Sequence, residues 1–308
     1  MTTLDPELGR VGVWGQLATL PAGELRPFAA RAAALGYGTL WVGDGTARDP
    51  FAQLSAIAEA ASGMTRGTSV VNIFGRDAMA ARMGAMTLHE LTGGRFVLGL
   101  GVSHVHLVQE LRGHVYEKPL TRMREYLAAY AGSPYRGPVL PGPDGAPSEP
   151  PVLIAALRPR LLELAATATA GTLPYLVSVA RLGWMRGVLD DARPADAPRA
   201  IVAPAVPCVV EADADAARAT ARTWLAGYAR SINYQRSFAE QGYDAADWEP
   251  PISDRLVDEI VAWGDADRVR ARIAEYHAAG ADHVAVIPLR PDGRTEHLSA
   301  LEALAPGR

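Results

Sequence analysis

One cysteine, Cys208, stands in 308 residues, so no intramolecular disulfide can form, and neither a secreted disulfide scaffold nor a cysteine-rich metal site is available. A reducing, cytoplasmic setting fits that economy. An excess of basic charge is also missing: the formal net charge is −4 and the pI about 6.0. That balance lacks the field needed to hold nucleic acid or an anionic bilayer, and neither is expected as a partner. No apolar run approaches the roughly 18 residues of a membrane span, and the first residues carry acids in place of a signal-peptide core. Also absent are a Gly-x-Ser-x-Gly elbow, a phosphate-binding Walker loop and a His-Glu-x-x-His zinc motif. What remains is a chain with 49% hydrophobic and 21% charged residues, the composition of a folded globular protein.

The first half repeats one phrase, a short β-branched run, a Gly or polar turn, then an Ala-rich stretch with helical spacing. Val11–Trp14 precedes a helix expected over Gly23–Leu35, and Thr39–Val42 precedes one over Pro50–Ser62. Thr68–Ile73 leads to a helix ending near Leu91, and Phe96–Leu100 opens a fourth unit. Further strands are expected at Val152–Ala155, from Ala200 through Val209, and at His283–Ile287, with a weak one near Gly171–Leu173. Strands alternating with helices imply a parallel sheet with right-handed crossovers, and about eight such units close a barrel. We therefore expect an α/β fold, a (β/α)8 TIM barrel, formed by 1–308 as a single domain. Insertions near 102–151 and 228–252 interrupt it. The first contains a Pro- and Gly-rich run from Gly132 to Pro151, and the second holds Tyr228, Tyr234, Phe238, Tyr243 and Trp248, which suggest a substrate cover. A doubly wound sheet is the alternative, because buried strands read alike in both.

Four stretches could carry chemistry. Gly99-Leu100-Gly101-Val102-Ser103-His104 follows a strand but lacks the third glycine and the acid of a dinucleotide fingerprint. In a barrel the same glycines allow a tight turn at the strand's C-terminal end, where a flat ring could approach and His104 would face the mouth. His104 and His106, two apart, would share a face of an extended segment, as in metal-dependent barrel hydrolases; no third histidine and acid complete that set, and no metal is expected. Asp44, between Gly43 and Gly45, sits where barrels place catalytic groups, or it is a turn aspartate. Arg158-Pro159-Arg160 opens a helix after the fifth strand and is either a phosphate cradle or a plain helix start. Cys208, inside an apolar strand, reads as an inert thiol, and Trp14 and Trp41 as barrel core or mouth lining.

Several segments together resemble the bacterial luciferase-like flavin and deazaflavin oxidoreductases, and within them the coenzyme F420-dependent branch. They are Leu35–Gly43, Gly67–Val70, Leu91–His104, Tyr116–Leu120, Ala155–Pro159 and Ala279–Val284, of which Gly93-Gly94-Arg95-Phe96 with Leu98-Gly99 and Gly101 is the most specific. The resemblance implies a cofactor ring at the C-terminal mouth, a homodimer, and a non-proline cis peptide matching Ser69-Val70. It puts Asp44, Ser69, Val70, Gly101, Val102 and Ser103 by the cofactor and Ala155, Ala156, Leu157 and Arg158 at its phosphate. Asp44 and His104 become the candidate catalytic residues. In related sugar-phosphate dehydrogenases the position of His104 is a glutamate and that of Gly45 a histidine, so their mechanism does not carry over.

The function implied is hydride transfer between the deazaflavin C5 and a small organic substrate, as reduction of an activated C=C, C=N or C=O bond, with His104, at a reference pKa near 6.5, as proton donor. A separate F420 reductase would be an indirect partner. The alternatives are an FMN-dependent two-component monooxygenase of the same family, a metal-dependent barrel hydrolase, and a non-enzymatic cofactor carrier.

Overall fold

A computed structural model describes residues 7–306 except Gln16, Pro143 and Asp144. The β-branched runs form the strands β1 (Val11–Trp14), β2 (Thr39–Val42), β3 (Thr65–Thr68), β4 (Val71–Asn72), β5 (Phe96–Gly101), β6 (Val152–Ile154), β7 (Gly171–Thr172), β8 (Ile201–Val202), β9 (Ala205–Val210), β10 (Ala262–Gly264) and β11 (Val284–Pro288). All pair in parallel in the order β10-β9-β11-β1-β2-β3-β5-β6-β7-β8, with β4 also on β5. The wall closes through one run of chain: β8 pairs β7 at Gly171↔Ile201, Ala205 bridges Tyr175, and β9 then pairs β11 from Ala205↔Ala285 to Cys208↔Pro288. The expected weak sixth strand, β7, is real but short, and β10 is an added strand on β9 that the sequence pattern had not suggested.

Helices lie between strands as the Ala-rich stretches suggest, and their starts are chemically marked. Asp49 and Asp77 accept from backbone N–H groups to open α2 (Pro50–Ala56) and α3 (Ala78–Leu91), following α1 (Ala22–Ala34). The helix expected to reach Ser62 ends at Ala56, and the chain continues in turns to Gly63. Within the first insertion lie a short π-helix (Leu107–Leu111) and α4 (Pro119–Gly132); among its described residues the Pro-rich stretch beyond has no α-helix. Next come α5 (Pro159–Ala168), α6 (Val179–Ala192) and α7 (Ala214–Ala229). The second insertion folds into α8 (Ile232–Glu240) and α9 (Ala245–Trp248), before α10 (Asp254–Ile260), α11 (Ala266–Ala278) and α12 (Leu298–Ala303).

Two packing layers result. Val13, Leu40, Phe96, Leu98 and Val286 belong to the larger core cluster, which also takes in residues of α1, α2 and α3. The second joins Trp14, Trp41, Val97, Leu153 and Ile287 to the buried faces of α7, α8 and α10. Cys208 is fully buried in β9, and burial pushes its thiol up to about 12, so it stays protonated. At the N-terminal end of the barrel, His283 is fully buried between Gly9 and Trp41.

Candidate active site at the barrel mouth

The C-terminal ends of β1, β2, β3, β5, β6 and β7 surround a cavity of about 410 Å³. From the strand ends come Trp14, Asp44, Ser69, Val70, Asn72, Ser103, His104, Ala155 and Tyr175, and the second insertion contributes Tyr228 and Tyr234. This is where the barrel architecture gathers functional side chains. Asp44 is the one carboxylate among the described lining residues, which include no lysine or arginine.

One wall is built around the Ser69-Val70 peptide, which is cis. The Ser69 carbonyl accepts from the Trp14 indole N–H at 3.0 Å, and its own N–H donates to Val42 O at 2.7 Å. Trp14 is therefore a mouth residue that holds this peptide, whereas Trp41 is core. Just beyond, the Asn72 N–H donates to Asp44 Oδ2 at 3.0 Å, and Arg112 Nη2 approaches Oδ1 at 3.9 Å. The Asp44 carboxylate thus ties the end of β2 to β4.

The glycines of β5 have a different task from the one expected. Both lie within the strand, with no turn at either. A Cβ on Gly99 would sit 1.9 Å from Thr68 O, and one on Gly101 would sit 2.4 Å from Val70 Cγ2. They admit β3 and the cis peptide at close range. Gly101 therefore supports the cavity wall from behind.

The chain turns at Ser103, with φ 58°, and becomes helical at Val105, so His104 and His106 are not two apart on an extended strand. Their rings nonetheless stack, 5.9 Å apart and 17° from parallel, and Tyr234 lies 5.1 Å from His104. Ser231 Oγ is 3.1 Å from His104 Nδ1. Burial, aided by His106, lowers the His104 pKa to about 4. At pH 7 the ring is neutral, which corrects the expectation of an imidazole poised near its reference value. Among the described residues no group of three or more His, Cys, Asp or Glu side chains could hold a metal ion.

The lining is otherwise largely aromatic. Trp14 stacks on Tyr175 at 6.3 Å, and Tyr175 meets Tyr228 and Tyr234 edge-on at 5.2 and 5.9 Å. Burial raises the Tyr175 and Tyr234 pKa values well above 10, leaving neutral phenols. Only the first two aromatics of the second insertion line the cavity: Phe238 is core, Tyr243 packs under Arg255, and Trp248 rests against the second cluster.

Of the expected phosphate segment, Ala155 lines the cavity, Ala156 is buried in the core, and Leu157 is half-buried. Val102 packs behind the wall. Arg158 is the N-cap residue of α5; its Nε lies 3.2 Å from Glu240 Oε1, while its Nη2 is buried and without a hydrogen-bond partner among the described residues. Sequence reasoning missed Tyr175, Ser231, Arg181 and Glu240, which come from distant segments. Only Ser231, a serine just before a helical stretch, carried a local signal, and that signal suggested a cap.

A closed parallel barrel with its polar groups at the C-terminal mouth and a cis peptide at Ser69-Val70 defines a class. The chain belongs to the luciferase-like monooxygenase family, whose model matches residues 8–283. It is 28% identical, over 96% of its length and 97% of the relative's, to a Mycobacterium tuberculosis protein provisionally named a coenzyme F420-dependent oxidoreductase. Its fold is similar to that of the coenzyme F420-dependent tetrahydromethanopterin reductase from Methanopyrus kandleri, with TM-score 0.73 and 17% identity over 97% of this chain and 98% of that one. It is also similar to the FMN-bound oxygenating constituent of 3,6-diketocamphane monooxygenase from Pseudomonas putida, with TM-score 0.70 and 15% identity over 96% of both chains.

Proposed function

We propose that this chain is a coenzyme F420-dependent oxidoreductase that reduces an activated C=C, C=N or C=O bond of a small organic substrate. The observation that carries the reading is the mouth cavity itself. It brings the cis Ser69-Val70 peptide, the Asp44 carboxylate and a neutral His104 around one space of about 410 Å³. The full-length relative named for F420 supports the choice of cofactor. When bound, the deazaflavin supplies the hydride at C5.

The residues present fit such a group. Val70, Ser69 and Asp44 would hold its ring, Ser103 and Ala155 would border it, and the unpartnered Nη2 of Arg158 is a donor suited to its phosphate. His104 would contact the substrate. A neutral imidazole serves there by hydrogen-bonding the substrate heteroatom, as neutral histidines polarise carbonyls elsewhere, and imidazolium is not required. The aromatic wall of Trp14, Tyr175, Tyr228 and Tyr234 excludes water and favours a flat or apolar substrate. The same reading treats residues 1–308 as one cytoplasmic unit, paired as a homodimer, with a separate enzyme keeping F420 reduced.

Fluorescence titration of the purified protein with F420 and, separately, FMN tests the proposal. Selective F420 binding is expected, followed by turnover of reduced F420 without oxygen uptake. Selective FMN binding with oxygen consumption would replace this reading with a two-component monooxygenase, which the Pseudomonas putida fold relative keeps in view.

A further inference from the structure

Beside the mouth, two arginines from different helices converge on one carboxylate. Glu240, the last residue of α8, places Oε1 3.2 Å from Arg158 Nε and Oε2 2.5 Å from Arg181 Nη2. The same Arg181 nitrogen donates to Leu157 O at 2.9 Å, and its guanidinium lies over the Trp184 ring at 3.8 Å. Arg181 is thereby fixed from two sides. Arg158 stands at the N-terminus of the ten-residue α5, where the helix dipole adds to the positive field.

The carboxylate does not complete this site. Arg158 Nη2 and Arg181 Nε are both buried and both lack a hydrogen-bond partner among the described residues. A carboxylate brings two oxygens in one plane; a phosphate group brings three or more in a tetrahedron and can reach further donors of an arginine pair.

We propose that Glu240 is a built-in competitor for an oxyanion, and that a phosphate group arriving at Arg158 and Arg181 displaces it and loosens the C-terminal end of α8. The identification of that phosphate with the cofactor's rests on the function proposed above; the competition itself does not. The consequence reaches the cavity because α8 also carries Tyr234, while Ser231 precedes it against His104. Its C-terminal end is also held through Gln241, whose Oε1 accepts from the Ser178 N–H at 2.9 Å and whose Nε2 donates to Leu176 O at 3.5 Å. α8 is therefore a strap, tied at one end by the site's histidine and at the other by the oxyanion site.

Glu240→Gln removes the charge and keeps the shape. Binding of inorganic phosphate, of F420 and of the phosphate-free deazaflavin nucleoside is measured by calorimetry for the wild-type and variant proteins. Removing a half-exposed competing ion pair is expected to tighten phosphate and F420 by roughly three- to tenfold and leave the nucleoside unchanged. Phosphate binding that is unchanged or weakened in the variant would show that Glu240 orients the arginines, and would overturn the proposal. F420 bound well by a variant that shows no gain would sink the strap and spare the cofactor assignment. Tighter phosphate with no F420 binding in either protein would do the reverse. In hydrogen exchange of the wild-type protein, saturating phosphate is expected to speed exchange at the C-terminal turn of α8, and unaltered protection there would also refute the displacement.

Discussion

Ser231 occupies the N-cap position of α8 yet caps nothing: its hydroxyl makes no bond to the helix and stands 3.1 Å from His104 Nδ1. A side chain that ordinarily satisfies a helix terminus is diverted to a histidine 127 positions away in sequence. Of the two ring nitrogens the bond engages Nδ1. His106 stacks on the ring and Tyr234 meets it at a tilt of 48°.

Ser231→Ala should therefore lower kcat by roughly tenfold, the value of about one hydrogen bond, with KM little changed. Ser231→Thr should restore most of it. His104→Ala should cost about 10² in kcat or more, with cofactor affinity retained. Nitrogen chemical shifts of labelled histidine would report the His104 tautomer directly. An unaltered tautomer mixture in Ser231→Ala would show that the serine is only a neighbour.

The pH profile separates a neutral His104 from a titrating one. Burial and the adjacent His106 lower its pKa to about 4, so the ring stays uncharged throughout the neutral range and protonates only in acid. A kcat profile without inflection between pH 5.5 and 8, falling toward pH 4, is expected once acid unfolding is excluded by circular dichroism. An inflection near 6.5 that disappears in His104→Ala would contradict the neutral role.

Most of the barrel was legible because its strands are short β-branched runs and its helices Ala-rich, with Asp or Pro marking many starts. Asp44 and His104 were legible for the same reason, since residues at strand ends face the mouth, whereas Ala155 was reached only through the family resemblance. The aromatic wall and the Ser231, Arg181 and Glu240 contacts were not. They depend on how the second insertion packs across the barrel, and no local pattern encodes that. Gly99 and Gly101 were visible as glycines, but a gap measured to Thr68 and Val70 was needed to distinguish close approach from a turn.

Gly101→Ala tests that close approach. The added methyl would lie 2.4 Å from Val70 Cγ2, so the Val70 side chain or β5 must shift. Overpacking of this kind costs about 1–3 kcal/mol, and cofactor affinity should fall with it. Val70→Ala in the same chain removes the opposing methyl, and the double variant should recover at least half of the lost stability. Additive losses across the double-mutant cycle would mean that the two side chains do not meet.

His283 supplies a pH dependence of stability. Its Nδ1–H donates to Gly9 O at 2.7 Å and its Nε2 accepts from the Trp41 indole N–H at 3.0 Å, which defines one neutral tautomer. A second proton would have to go on Nε2, facing another donor, and burial lowers the pKa to about 4. Between about pH 4 and 6.5 the unfolded chain binds this proton and the folded one does not. Stability present at pH 7 is therefore lost as the pH falls through that window. At 1.36 kcal/mol per unit, the loss attributable to this residue from pH 6.5 to 5 is about 2 kcal/mol. Urea unfolding at the two values should show it. His283→Gln should start less stable, through imperfect replacement of the two bonds, but should have a shallower slope across the same interval. An equally steep slope in that variant would assign the acid sensitivity to other groups.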